Sequence, residues 1–292
     1  MDYPVASHGV IENAIGISSV TVLFFAGRVY PHRPLYGRSM AAFSLCTFRN
    51  TTLMSQSFQN TDPYAPPRDM FVVDAALSER LSFLRKVYAH VFGAILLLVG
   101  LEFIFFQTGF NVTLLQIMGQ SVWIGLFVFL GVSWFAQRLA FSGASAIAQY
   151  TGLGLYVGLQ AVITAPILTF VAHSNPALIG QAGFLTLLIT GALTLYVVLS
   201  KTDFSFMRNA LFLAGIGLFA VSVASAIFGF SLGLGFSAGV IMLMCGYILY
   251  ETSAIMHHLP TTAHVAGALM LFGSIVTLFR EILFLLMRLN DD

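Results

Sequence analysis

The chain has 292 residues, of which 58% are hydrophobic and only 9% charged, with a net charge of +1 and a mean hydropathy of +0.89. That much apolar surface cannot be hidden behind a polar exterior, which excludes a soluble globule. No Lys/Arg-rich stripe offers itself to nucleic acid, and two distant cysteines, Cys46 and Cys245, predict no disulfide framework.

Residues 1–53 mix Pro, His and Arg with one apolar run at 14–27, too short to span a bilayer. Asp2 and Glu12 stand where a signal peptide carries positive charge, so this stretch is expected to be disordered or a non-native upstream extension, with Met54 opening the true leader. Residues 54–80 read as a polar cytosolic tail, extended at 62–69 by its prolines. A membrane domain is expected over 81–292.

Between Val87 and Met287 the only Asp, Glu, Lys or Arg residues are Glu102, Arg138, Lys201, Asp203, Arg208, Glu251, Arg280 and Glu281. Such sparse charge leaves repeated apolar windows of the roughly 20 residues that a spanning helix needs. Seven segments result, at 87–107, 117–137, 146–171, 179–200, 207–229, 232–257 and 263–287. The fold class is therefore all-α, a polytopic membrane protein with seven transmembrane helices, and the lipid bilayer is its first partner. Arg80, Arg85, Lys86, Arg138, Lys201 and Arg208 all fall on one set of alternating connections. Positive charge inside places the N-terminus in the cytosol. An odd number of crossings then puts the C-terminus outside, against which Arg288 dissents; a re-entrant last segment would remove the conflict. Glycines spaced by four, at 154 and 158, 229 and 233, and 235 and 239, predict close helix approach.

Glu251 is the most informative residue. Pro260 ends its helix about nine residues later, which places the carboxyl roughly 13 Å from the cytosolic end. An ionisable group at that depth costs roughly 2.5–3.5 kcal/mol on insertion scales and is a functional-site expectation by default. The bland alternative is an acid snorkelling to the surface. On the antiparallel neighbour, Ser274 and Thr277 are the polar groups at or near its level, with Arg280 and Glu281 a turn deeper. Arg280 and Glu281 are adjacent and cannot pair on one helix face, so each must meet another helix. Glu102 either lines a polar pathway with Gln107 or reaches the outer interface. Arg138 anchors the second segment or, turned inward, latches Glu251. In the cytosolic loop, Lys201 precedes Asp203, which is expected to cap the next helix. His257, His258 and His264 flank a turn, where a solvated loop is the simpler reading than metal ligation. The string Gly143-Ala144-Ser145-Ala146 faintly echoes an intramembrane serine protease, but no histidine follows at mid-membrane. No enzyme activity, metal site or resident cofactor is expected.

Several strings together resemble the Bax inhibitor-1 family of integral membrane proteins, in its bacterial branch. They are Phe83 to Tyr88, Thr194 to Ser205, Tyr247 to Ile255, Ala268 to Leu271, and Leu278-Phe279. The resemblance implies a bundle around a central last helix, in a bacterial inner membrane. It implies a pH-sensitive calcium leak, with calcium bound at most transiently, or modulation of a membrane-anchored AAA protease. In the family the leak depends on two aspartates. The first falls on Glu251 and the second on Ser274, which cannot ionise; Thr277 stands where the family usually has Asn. A non-conducting regulator of a membrane protease or respiratory complex is the second reading.

Overall fold

The computed structural model describes residues 72, 77–120, 122–141, 145–200 and 202–291. The expected extension 1–53, most of the tail 54–80, Lys201 and the pair Gly143-Ala144 lie outside the described residues. Among those described, the chain is helical throughout: α1 Leu77–Thr108, α2 Phe110–Gln120, α3 Val122–Ala140, α4 Ala146–Ser174, α5 Ala177–Ser200, α6 Arg208–Phe228, α7 Leu234–His257 and α8 His264–Asp291. A short 3-10 turn, Ser205–Met207, leads into α6.

Six of these helices, α1 and α4 to α8, are long and apolar enough to cross a membrane. The expected count of seven is not reproduced one for one. The segment expected at 117–137 covers the end of α2 and most of α3, with residue 121 between them outside the described residues; within it Phe127–Ala140 is a shorter apolar helix. The polypeptide turns at Gly109, whose φ of +72° ends α1, and Asn111 then pins α2 to Thr169 of α4 at 2.9 Å. Residues 77–80, expected in the polar tail, form the first turn of α1. No re-entrant break interrupts α8, which continues to its end as one helix.

Burial separates the helices into an inner and an outer set. Of the apolar window in α8, 83% is buried inside the protein, against 67% in α4, 50% in α7 and 17–22% in α1, α5 and α6. α8 supplies residues to each of the three larger apolar clusters, through Leu278, Leu269 and Leu271 among others. The last helix is thus the centre of the bundle, with α1, α4, α5 and α7 packed around it. Outward-facing Phe92, Phe127, Phe184 and Leu213 are exposed, as lipid-facing positions are.

Helix contact through small residues occurs, though not where glycine spacing predicts it. A Cβ on Gly154, Gly158, Gly229, Gly233 or Gly235 would meet nothing within 4 Å, and on Gly239 only a Leu218 methyl at 3.6 Å. The close approach is at Gly152, where a Cβ would lie 2.5 Å from the Ala136 carbonyl oxygen and 2.6 Å from the Ala140 nitrogen. Spacing by four marks one face of a helix but does not say whether that face meets protein or lipid.

Candidate functional site

Glu251 lies on α7 six residues before the end of that helix at His257, ahead of the turn that leads into α8. It is 1% exposed, which rules out the snorkelling alternative. Its surroundings are dry: Ile248, Ala254 and Ile255 on its own helix are buried, as are Met270 and Leu271 across the seam. The Ser274 hydroxyl of α8 is the polar group beside it. Even so, neither carboxyl oxygen makes a hydrogen bond of ordinary geometry. Thr277, also expected near the site, is fully buried and donates to the Gly273 carbonyl at 2.9 Å, so its hydroxyl serves its own helix.

Arg280 is the largest fully buried side chain. Its guanidinium donates to Gln160 Oε1 at 2.6 Å and to Thr164 Oγ1 at 3.4 Å, both on α4, and to Thr277 Oγ1 at 3.3 Å. Gln160 in turn donates to the Tyr156 hydroxyl at 2.8 Å. Glu102 of α1 and Glu281 are both within electrostatic reach of this cation. Glu281 turns instead toward Ser237 of α7. Arg280 and Glu281 therefore do engage different helices, as their adjacency requires. Glu102 is 7% exposed, inside the bundle rather than at the outer interface, while Gln107 is exposed. Both carboxyl oxygens of Glu102 and of Glu281 lack hydrogen-bond partners.

Arg138 does not face Glu251. Its side chain is exposed, with the guanidinium 5.5 Å from the Trp134 ring centroid on the same helix. Among the described residues the fully buried cation is Arg280.

In the connection between α5 and α6, Asp203 Oδ1 accepts the Ser205 N–H at 2.9 Å and also the Ser253 hydroxyl at 3.2 Å. It does not cap the next helix as expected: the residue before α6 is Met207, and no side chain caps it. Ser253, two residues from Glu251, accepts the Phe204 N–H at 2.9 Å. His258 Nε2 lies 3.4 Å from Asp203 Oδ2, both side chains being well exposed. Partial burial works against the Asp203 carboxylate. The Ser205 backbone and side-chain contacts, the His258 ring and the Ser253 hydroxyl outweigh it and hold the group below its ordinary value of 3.8. The loop between α5 and α6 is thereby tied to α7 beside Glu251. His264 does not join the other two histidines; its ring lies 5.0 Å from that of His90 on α1, and His257 bonds its own backbone at Ser253. Among the described residues no group of three or more His, Cys, Asp and Glu could hold a metal ion. Ser145 caps α4 by accepting the Ala148 N–H at 3.2 Å, a structural role for the serine of the protease-like string.

Sequence reading overlooked Gln160, Thr164, Ser237 and Ser253. One signal was available for the first two: Tyr156, Gln160 and Thr164 recur every four residues, a polar stripe on one face of an apolar helix. Ser237 and Ser253 carry no comparable mark.

The model of the family described as Inhibitor of apoptosis-promoting Bax1 matches residues 80–291. The chain belongs to the Bax inhibitor family. It is 27% identical to "Bax inhibitor 1" of Schizosaccharomyces pombe over 246 residues, covering 80% of this chain and 84% of that protein. Similarity to "Protein lifeguard 4" of Mus musculus is 28% over 229 residues, or 75% and 90% of the two chains. An "Uncharacterized membrane protein" of Vibrio cholerae is 28% identical over 166 residues, 56% of this chain and 73% of its own length. The molecule is accordingly a Bax inhibitor family protein that spans the membrane several times, with relatives in bacteria.

Proposed function

We propose that this protein is a proton-sensitive cation leak, conducting calcium across a bacterial inner membrane with its N-terminus in the cytosol. The controlling group is the Glu251 carboxyl, with Ser274 and Thr277 as its hydroxyl neighbours. The observation that carries this reading is a carboxyl 1% exposed, in a spanning helix, with neither oxygen hydrogen-bonded. A buried polar group without partners is costly and calls for a functional explanation. Ionised, it attracts a cation into the bundle; protonated, it does not. Calcium suits oxygen ligands and carboxylates in particular. With Ser274 opposite it instead of a second acid, Glu251 lacks like-charge repulsion, and burial alone governs its proton. The activity requires no resident cofactor and no enzymatic chemistry. The test is calcium flux into liposomes carrying Glu251→Gln, in which the pH response should disappear while the protein remains folded.

A second reading draws on α6, which packs chiefly on α7 and has only 17% of its apolar window buried. That leaves a face for a partner helix in a non-conducting regulator of a membrane-anchored AAA protease or respiratory complex. Cross-linking in native membranes separates the two: an abundant specific partner together with no flux from the purified protein favours regulation.

A further inference from the structure

The seam between α7 and α8 carries two acid–hydroxyl pairings of opposite direction. Glu251 on α7 faces Ser274 on α8, and Glu281 on α8 faces Ser237 on α7. Seven residues separate Ser274 from Glu281, a rise of about 10 Å along the helix. Glu281 and Ser237 are both 0% exposed. Both Glu281 oxygens and the Ser237 hydroxyl lack hydrogen-bond partners, as do both Glu251 oxygens. On α8 the residues Ser274, Thr277 and Glu281 follow a three-then-four spacing and share one face. We propose that Glu281 and Ser237 form a second proton-accepting station on the α7–α8 seam, separate from Glu251.

The chemistry follows from what each group can do. An ionised carboxylate sealed from water with no donor is strongly disfavoured, whereas a protonated one donates its O–H to a serine oxygen. A hydroxyl both accepts and donates, so Ser237 can accept from a protonated Glu281 or donate to an ionised one, whereas the Thr277 hydroxyl is engaged by the Gly273 carbonyl and the Arg280 guanidinium. The charges facing Glu281 are few. Arg280 and Arg288 lie on its own helix, and Arg280 is held toward α4 by Gln160. Glu102 from α1 and Tyr156 from α4 face Arg280 rather than Glu281. On α7 the titratable side chains are Cys245, Tyr247, Tyr250, Glu251 and His257, and the Tyr247 hydroxyl is also without a hydrogen-bond partner. The only titratable side chains on α5 and α3, Tyr196 and Arg138, are exposed. Glu281 is thus a proton site in its own right.

This inference rests on reading Glu251 as a proton-exchanging group, and the experiment keeps the two apart. Infrared difference spectra between acid and alkaline pH are recorded on the full chain in liposomes, with calcium flux measured on the same samples. In wild type, separate protonated-carboxyl absorptions should vanish in Glu251→Gln and in Glu281→Gln. Ser237→Ala, a mild change that preserves every charge, should shift the Glu281 absorption and leave that of Glu251 in place. The pH profile of the flux should move in Glu281→Gln. Unchanged carboxyl absorptions in Ser237→Ala overturn the station, whether or not Glu281→Gln folds. An absorption lost in Glu281→Gln, in a protein that shows no flux at all, would sink the leak and leave the station standing.

Discussion

Arg280 and its partners show how single residues set the terms for this bundle. A guanidinium at the centre of a membrane protein is tolerable because Gln160, Thr164 and Thr277 accept its protons and two acids lie within electrostatic reach. Removing it leaves those acids buried without a counter-cation. Breaking such buried charge groups from one side costs on the order of 3–5 kcal/mol. Arg280→Ala is therefore expected to lower the Tm of the detergent-solubilised protein sharply, and Gln160→Ala by less, as differential scanning fluorimetry would record. The burial of Glu251 and its level with Ser274 were legible, because one acid in an apolar run and a proline-marked hairpin fix the level of both. The partner of Arg280 was not, since the facing helix is far away in sequence and its rotation about its own axis is set by packing.

At the scale of elements, two contacts decide how helices are joined. α4 touches α3 at Gly152, where a side chain would strike the backbone at Ala136 and Ala140 rather than a yielding side-chain tip. Gly152→Val should destabilise by about 1–3 kcal/mol, the range for overpacking. Gly154→Ala and Gly158→Ala, which open on empty space, should leave the Tm unchanged. The second contact is the Asp203 clasp on α7. Its folded carboxyl titrates below the ordinary 3.8, so the charge adds stability that is fully present above that value and is lost as pH falls through the folded one. Asp203→Asn should consequently lower the Tm slightly at neutral pH, with wild type and variant converging in strong acid. The effect is small because both Asp203 and His258 are exposed to solvent. The bond from the Ser205 N–H to Asp203 is local, two residues along the chain. That from Ser253 could not be read from the sequence, because it joins residues fifty apart.

For the whole molecule, hydropathy and charge spacing sufficed to announce a polytopic helical protein, and the family match over 80–291 agrees. The central place of α8 could be anticipated only through the family resemblance, since its hydropathy hardly differs from that of outer helices such as α5. What does mark α8 is chemical: it carries both Arg280 and Glu281, which no lipid-facing helix could hold at that depth. The central claim concerns one carboxyl at the seam of α7 and α8. Its most direct test is calcium flux through the purified full chain in liposomes, followed as external pH is stepped across neutrality, for wild type beside Glu251→Gln. The account predicts a flux in wild type that changes reversibly with each step, and a Glu251→Gln protein, equally folded, whose flux no longer responds. Identical pH responses in the two proteins would contradict it.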